Sequence, residues 1–175
     1  MEELERTYLL RELPGGFERA HSKEMLDMYI PSSVEHPVLR IRKAGGKYEI
    51  TKKHPLKKGD ASHQIETTIP LTKAEHDELC QLPGKRVQKT RFYYQENKVS
   101  YEIDVFRGDL EGLVLVDVEF SSLEEKSAFV PPAWCLAEIT QEAFIAGGMI
   151  CGKKYSDIEK ELQRFHYKRL EVNPV

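Results

Sequence analysis

Five short segments carry charged side chains two residues apart, and the sign is sorted by segment. Carboxylates stand at Glu3/Glu5, Glu102/Asp104 and Asp117/Glu119, cations at Arg40/Arg42 and Lys89/Arg91. Clustered carboxylates are the hard oxygen ligands that Mg²⁺ and Mn²⁺ prefer, and guanidinium groups meet phosphate oxygens in bidentate fashion. Together the two sets have the chemistry to hold a metal-bound polyphosphate. On a strand, residues i and i+2 share a face about 7 Å apart. Like charges at that spacing repel unless water, a cation or basic side chains lie between them.

The elements that must position these groups are strongly alternating strands. Glu3 to Leu10 is the first. Pro14-Gly15-Gly16 breaks it, residues 17 to 24 carry no readable periodicity, and Met25 to Ile30 resumes as a short strand ended by Pro31. Val38 to Lys43 sets Leu39 and Ile41 against Arg40 and Arg42, and Gly45-Gly46 turns it into a return strand from Lys47 to Lys53. After a basic loop, His54 to Asp60, comes a strand from Gln64 to Ile69 with Glu66 and Thr68 on one face, ended by Pro70. Thr72-x-x-Glu75 has capping-box spacing and predicts a helix over about residues 73 to 81. Three strands follow: Gly84 to Tyr94, Val99 to Phe106 and Leu113 to Phe120. In the last two, Tyr101, Ile103 and Val105, then Val114, Val116, Val118 and Phe120, oppose the acids. Ser122-x-x-Glu125 predicts a short helix before Pro131-Pro132, Thr140 is a candidate cap, and Ser156-Asp157-Ile158-Glu159 begins a last helix.

If the apolar faces of a closed antiparallel sheet pack outward against helices, the charged faces meet inside a polar bore. Buried charges must be paired or occupied, because an unpaired one costs several kcal/mol. The same alternation also describes ordinary amphipathic strands with their charge in water, and spacing does not choose between the two.

The 175 residues fit one domain. A net charge of -3 gives no support for a nucleic-acid surface. No apolar run is long enough to cross a bilayer, and Met1-Glu2-Glu3 lacks the character of a signal peptide, so a cytoplasmic location is expected. Cys80, Cys135 and Cys151 share no C-x-x-C spacing and the six histidines are scattered, so neither a disulfide framework nor a histidine metal centre is indicated.

The ordered series of motifs resembles the CYTH superfamily, the triphosphate tunnel metalloenzymes, which include class IV adenylate cyclase, thiamine triphosphatase and bacterial inorganic triphosphatases. The likeness runs from Glu3 to about Thr140. It comprises Glu3-Leu4-Glu5-Arg6, Leu39-Arg40-Ile41-Arg42, Tyr48 to Lys53, Val87-Gln88-Lys89-Thr90-Arg91, and Glu102-Ile103-Asp104-Val105-Phe106 with Gly108. It continues through Asp117-Val118-Glu119-Phe120 and Phe129-Val130-Pro131-Pro132 with Trp134. The resemblance implies an α+β, mainly β fold: a closed antiparallel eight-stranded barrel with peripheral helices. Residues 1–152 would form the barrel domain, with a C-terminal helix and tail over 153–175 packed on it.

The implied activity is hydrolysis of a triphosphate with Mg²⁺ or Mn²⁺. By position, Glu3, Glu5 and Glu119 look like metal ligands supported by Asp117, and Arg40, Arg42, Lys53, Lys89 and Arg91 like phosphate-binding cations. Asp104 and Glu66 would orient those cations or help hold water. The implied partner is a small triphosphate-containing molecule, without nucleic acid or membrane, and a homodimer is compatible with the resemblance. Three positions depart from the family pattern. Thr7 stands for the signature lysine, Thr68 for a second glutamate after Glu66, and Ala143-Phe144-Ile145-Ala146-Gly147-Gly148 for a charged Arg-Tyr-x-Asn segment. Thr7 and Thr68 read as linked losses that preserve internal charge balance. A weakly active or non-catalytic binder of polyphosphate or nucleotide, and cyclisation of ATP, are the alternative functions.

Overall fold

The computed structural model describes residues 2–172, so the last three residues of the expected tail lie outside it. Its strands are β1 (Glu2–Leu10), β2 (His21–Ile30), β3 (Leu39–Ala44), β4 (Lys47–Pro55), β5 (His63–Leu71), β6 (Lys85–Glu96), β7 (Val99–Phe106), β8 (Val114–Phe120) and β9 (Cys135–Glu138). The helices are α1 (Lys73–Leu79), α2 (Leu123–Ala128), α3 (Gly147–Ile150) and α4 (Tyr155–Gln163). The sheet runs β5-β4-β3-β2-β6-β7-β8-β1-β9, and a further β5–β1 pairing closes the first eight strands into an antiparallel barrel.

One edge of β1 does two jobs. Its first residues close the barrel, with Glu3 opposite Gln64, while Tyr8 to Leu10 pair with β9. Its other edge pairs with β8 over Leu4 to Leu9. The β6–β7 hairpin turns through Asn97 and Lys98, both at positive φ, as a two-residue turn requires.

The apolar faces point outward. Tyr8, Leu10, Phe92, Tyr101, Ile103, Val105, Val114, Val116 and Val118 form a buried cluster with Phe17, Trp134 and Cys135, outside the barrel wall. A second cluster joins Leu9, Phe106, Leu113 and Leu115 to Ile139, Ile145, Ile150 and the α4 residues Tyr155, Ile158 and Leu162. The first cluster is therefore a sleeve around the barrel, whereas the second closes one end of the bore through Phe106, Leu115, Ile139, Ile145 and Ile150, and the rest of the interior is left for polar groups.

Four local expectations are corrected. β2 begins at His21, not Met25, because its polar first turn is carried by pairing of His21 to Glu24 with Tyr93 to Thr90 of β6. Pro70 does not end β5, which runs to Leu71; β1 pairs with β5 only at His63 to Ile65, so Pro70 needs no donor on its far edge. α1 ends at Leu79, two residues early, although the Thr72–Glu75 capping box forms as read. Thr140 caps no helix: its Oγ1 accepts a 3.0 Å bond from the Thr7 amide, and β9, unforeseen in the sequence, runs just before it.

Candidate functional site

Cross-strand register decides which side chains share the bore. Glu3 lies opposite Gln64, Glu66 opposite Lys53, Thr51 opposite Arg40, Arg42 opposite Asp27, and Arg91 opposite Asp104. Directly opposed residues point to the same face, so these pairings carry one polar lining around the wall. Glu3, Glu5, Arg40, Arg42, Lys53, Glu66, Lys89, Arg91, Asp104, Asp117 and Glu119 all line one cavity of about 560 Å³. At one end the charged lining gives way to Leu115 and Phe106 beneath the second apolar cluster.

Most of the cations are already engaged. Arg91 spans three carboxylates: Nε and Nη2 donate to Asp104 at 2.7 and 2.6 Å, Nη2 also reaches Asp117 at 3.2 Å, and Nη1 pairs with Glu102. Lys89 pairs with the same Asp104. Burial pushes the Asp104 carboxyl up, but Arg91 and Lys89 outweigh it and hold the group well below the usual carboxylate range.

Arg42 donates from Nε and Nη2 to the two oxygens of Asp27, both at 2.7 Å. Asp27 is only 4% exposed; burial opposes its charge, yet the charge and hydrogen bonds of Arg42 leave its pKa lowered. Arg40 is freer. Its Nη2 lies 3.9 Å from Glu66, and its buried Nε has no hydrogen-bond partner.

The acidic wall centres on Lys53. Its Nζ lies 2.5 Å from Glu3 Oε2, 3.4 Å from Glu66 and 3.7 Å from Glu5. Glu3 Oε2 is buried, with the Lys53 ammonium held against it. Burial pushes Glu5 up to about 7, against the pull of Lys53 and with help from Asp117, Glu3 and Glu119. The donor set is all hard oxygen, as a divalent cation of the Mg²⁺ class requires, and it carries more negative charge than one ammonium can balance. Among the described residues, however, no three such groups are already arranged to hold an ion. They close on Lys53 instead.

At the position of the signature lysine, Thr7 Oγ1 donates to Asp117 Oδ1 at 2.7 Å. Thr68 Oγ1 donates to Glu66 Oε1 at 2.6 Å and lies 3.0 Å from Thr51 Oγ1. Both threonines lie on the bore face. From the Glu3–Gln64 pair, Thr7 is four residues along β1 and Thr68 four along antiparallel β5. That separates them by about 26 Å along the strands, so they do not stand as the two halves of a missing ion pair, and any balance between them is of total charge only.

Sequence reasoning missed Asp27, Tyr29, Glu49, Thr51 and Gln64, which also line the cavity. Only pairs at i, i+2 were legible as chemistry, and Asp27 stands alone between Met25 and Tyr29. The segment that departs from the family pattern lines the cavity too. A Cβ on Gly147 would come within 2.2 Å of Tyr29 Oη, and one on Gly148 within 2.0 Å of the Pro37 carbonyl oxygen. The Gly-Gly step lets α3 press onto the barrel mouth.

No family model matches the chain. An inorganic triphosphatase of Nitrosomonas europaea is 33% identical over 144 residues, covering 81% of this chain and 91% of that protein. An inorganic triphosphatase of Acetivibrio thermocellus is 32% identical over 79 residues, covering 44% of this chain and 48% of that protein. The crystal structure of an inorganic triphosphatase is similar with a TM-score of 0.63 at 27% identity, covering 86% of this chain and 95% of that one. With this closed barrel and these relatives, the chain belongs to the CYTH superfamily of triphosphate tunnel metalloenzymes.

Proposed function

We propose that this protein hydrolyses inorganic triphosphate or a small organic triphosphate inside the barrel, with Mg²⁺ or Mn²⁺ as cofactor. The observation that carries the reading is the convergence of Arg40, Arg42, Lys53, Lys89 and Arg91 with an acidic wall in one cavity of about 560 Å³. The two inorganic triphosphatases similar to this chain support it.

Glu3, Glu5 and Glu119, backed by Asp117, would hold the metal. When bound, the metal neutralises charge on the phosphate oxygens and aligns them for attack. Arg40, whose Nε is buried without a partner, is the cation readiest to take a phosphate oxygen. Asp104 holds Lys89 and Arg91 at the wall, and Glu66 stands beside Arg40 and Lys53, so these carboxylates orient cations rather than attack. The chemistry is in-line displacement: a water oxygen bonds to the terminal phosphorus as the bridging P–O bond opens, the shortened chain departs with the bridging oxygen and its electron pair, and the water gives up a proton to solvent as orthophosphate forms. No covalent nucleophile is needed.

A second reading, a weakly active binder of polyphosphate, is favoured by one observation: Thr7 supplies a hydroxyl to Asp117 where the family's lysine would supply a cation. Phosphate release from triphosphate, ATP and thiamine triphosphate, with Mg²⁺, Mn²⁺ or EDTA, separates the readings. Metal-dependent release supports hydrolysis. Binding without release supports the second reading, and cyclic AMP formation would move the chain to cyclisation.

A further inference from the structure

The acidic wall is not vacant. Lys53 reaches in from β4 and places Nζ 2.5 Å from Glu3, 3.4 Å from Glu66 and 3.7 Å from Glu5. The contacted carboxylates are 16 to 18% exposed and the lysine 28%. An ammonium centred on these groups occupies the space and the charge that a divalent ion would need.

We propose that Lys53 is the resident counter-ion of the metal carboxylates, that a divalent cation displaces it, and that the freed ammonium turns to the incoming phosphate, so that metal and triphosphate bind cooperatively. The inference rests on the metal reading above. Three features of the wall carry it. First, the Lys53 ammonium sits 2.5 Å from the buried Glu3 Oε2, so a divalent ion can take that oxygen only by displacing the lysine. Second, Lys53 Nζ and Arg40 Nη2 approach the same oxygen, Glu66 Oε2, at 3.4 and 3.9 Å. A phosphate entering beside Arg40 therefore meets Lys53 within a short swing of its four-carbon stem. Third, the released ammonium would be left in a partly buried site without its Glu3 contact unless an anion arrived with the metal. A lysine that loses one set of acceptors only when another is present couples the two ligands, and such coupling is reciprocal. Metal alone must pay to expel the ammonium; metal with triphosphate gives it a new partner.

The test is Mn²⁺ binding, read by calorimetry and by the electron paramagnetic resonance of free Mn²⁺, without substrate and with a non-hydrolysable imido analogue of triphosphate. For Lys53→Gln we expect Mn²⁺ alone to bind about tenfold tighter than to the parent, and the boost from the analogue to shrink by about the same factor. Lys53→Arg, which keeps the cation, should stay within about twofold of the parent for Mn²⁺ alone. Lys53→Met repeats the neutral substitution with an apolar stem, and thermal melting of each variant identifies any that is unfolded. Mn²⁺ binding to folded Lys53→Gln and Lys53→Met that is no tighter than to the parent, while the parent takes up Mn²⁺ with the analogue, overturns the inference and leaves the metal reading standing. No Mn²⁺ binding to any of the proteins, with or without the analogue, overturns both.

Discussion

Asp27 and Arg42 face each other across β2 and β3 and lock through two parallel hydrogen bonds of 2.7 Å, the carboxylate only 4% and the arginine 8% exposed. A buried pair of this kind adds little net stability over an apolar one, but removing one partner leaves the other charge uncompensated. Asp27→Ala should therefore cost about 3–5 kcal/mol in urea unfolding. A loss under about 1 kcal/mol would mean that Arg42 finds another acceptor or reaches water.

The raised pKa of Glu5 gives stability a pH dependence. Burial is the main cause, opposed by Lys53 and reinforced by Asp117, Glu3 and Glu119, and it moves the group from its ordinary 4.5 to about 7. Between these values the folded chain binds more protons than the unfolded one, so stability falls as pH rises. The contribution is full below 4.5 and lost through about 7. Thermal melting in EDTA should show this decline in the parent and a flatter profile in Glu5→Gln over the same window. An equal decline in both would remove Glu5 as its source.

Thr7 holds Asp117 through a 2.7 Å hydrogen bond. Thr7→Val keeps the shape and removes the donor, leaving a part-buried carboxylate with one fewer partner. The expected cost is about 1–2 kcal/mol, measured by chemical denaturation. No change would indicate that water replaces the hydroxyl.

Gly148 touches the barrel mouth so closely that an added Cβ would sit 2.0 Å from the Pro37 carbonyl oxygen and 2.8 Å from the His36 ring. A backbone oxygen cannot step aside as a flexible side chain can. Gly148→Ala should destabilise by about 1–3 kcal/mol and loosen the 143–150 segment, visible as faster amide exchange there. Unchanged exchange and melting would show that the mouth gives way without cost.

What was legible in the sequence follows from periodicity. Glu102/Asp104 and Asp117/Glu119 could be assigned a face because Ile103, Val105, Val116 and Val118 define the other one, and the outward cluster of those residues fixes the acids inside. The capping box at Thr72 and the Ser122 N-cap were readable because their bonds are local. His21 to Glu24 and β9 were not, since both are held by partners distant in sequence, the first by β6 and the second by the edge of β1. Among site residues, the charge pairs announced themselves, whereas Asp27 became visible only once register set it beside Arg42. The network of pairing was illegible too: nothing in spacing says that Lys53 sits among Glu3, Glu5 and Glu66.

The central claim is that the acidic wall works through a divalent metal on a triphosphate. The most direct measurement is phosphate release from inorganic triphosphate as Mn²⁺ is titrated into EDTA-stripped protein, for the parent and for Glu119→Gln. We expect no release in EDTA, recovery on adding Mn²⁺, and a half-activating Mn²⁺ concentration raised at least about tenfold in Glu119→Gln. Release that persists unchanged in EDTA, or a variant that responds to Mn²⁺ as the parent does, would contradict the account.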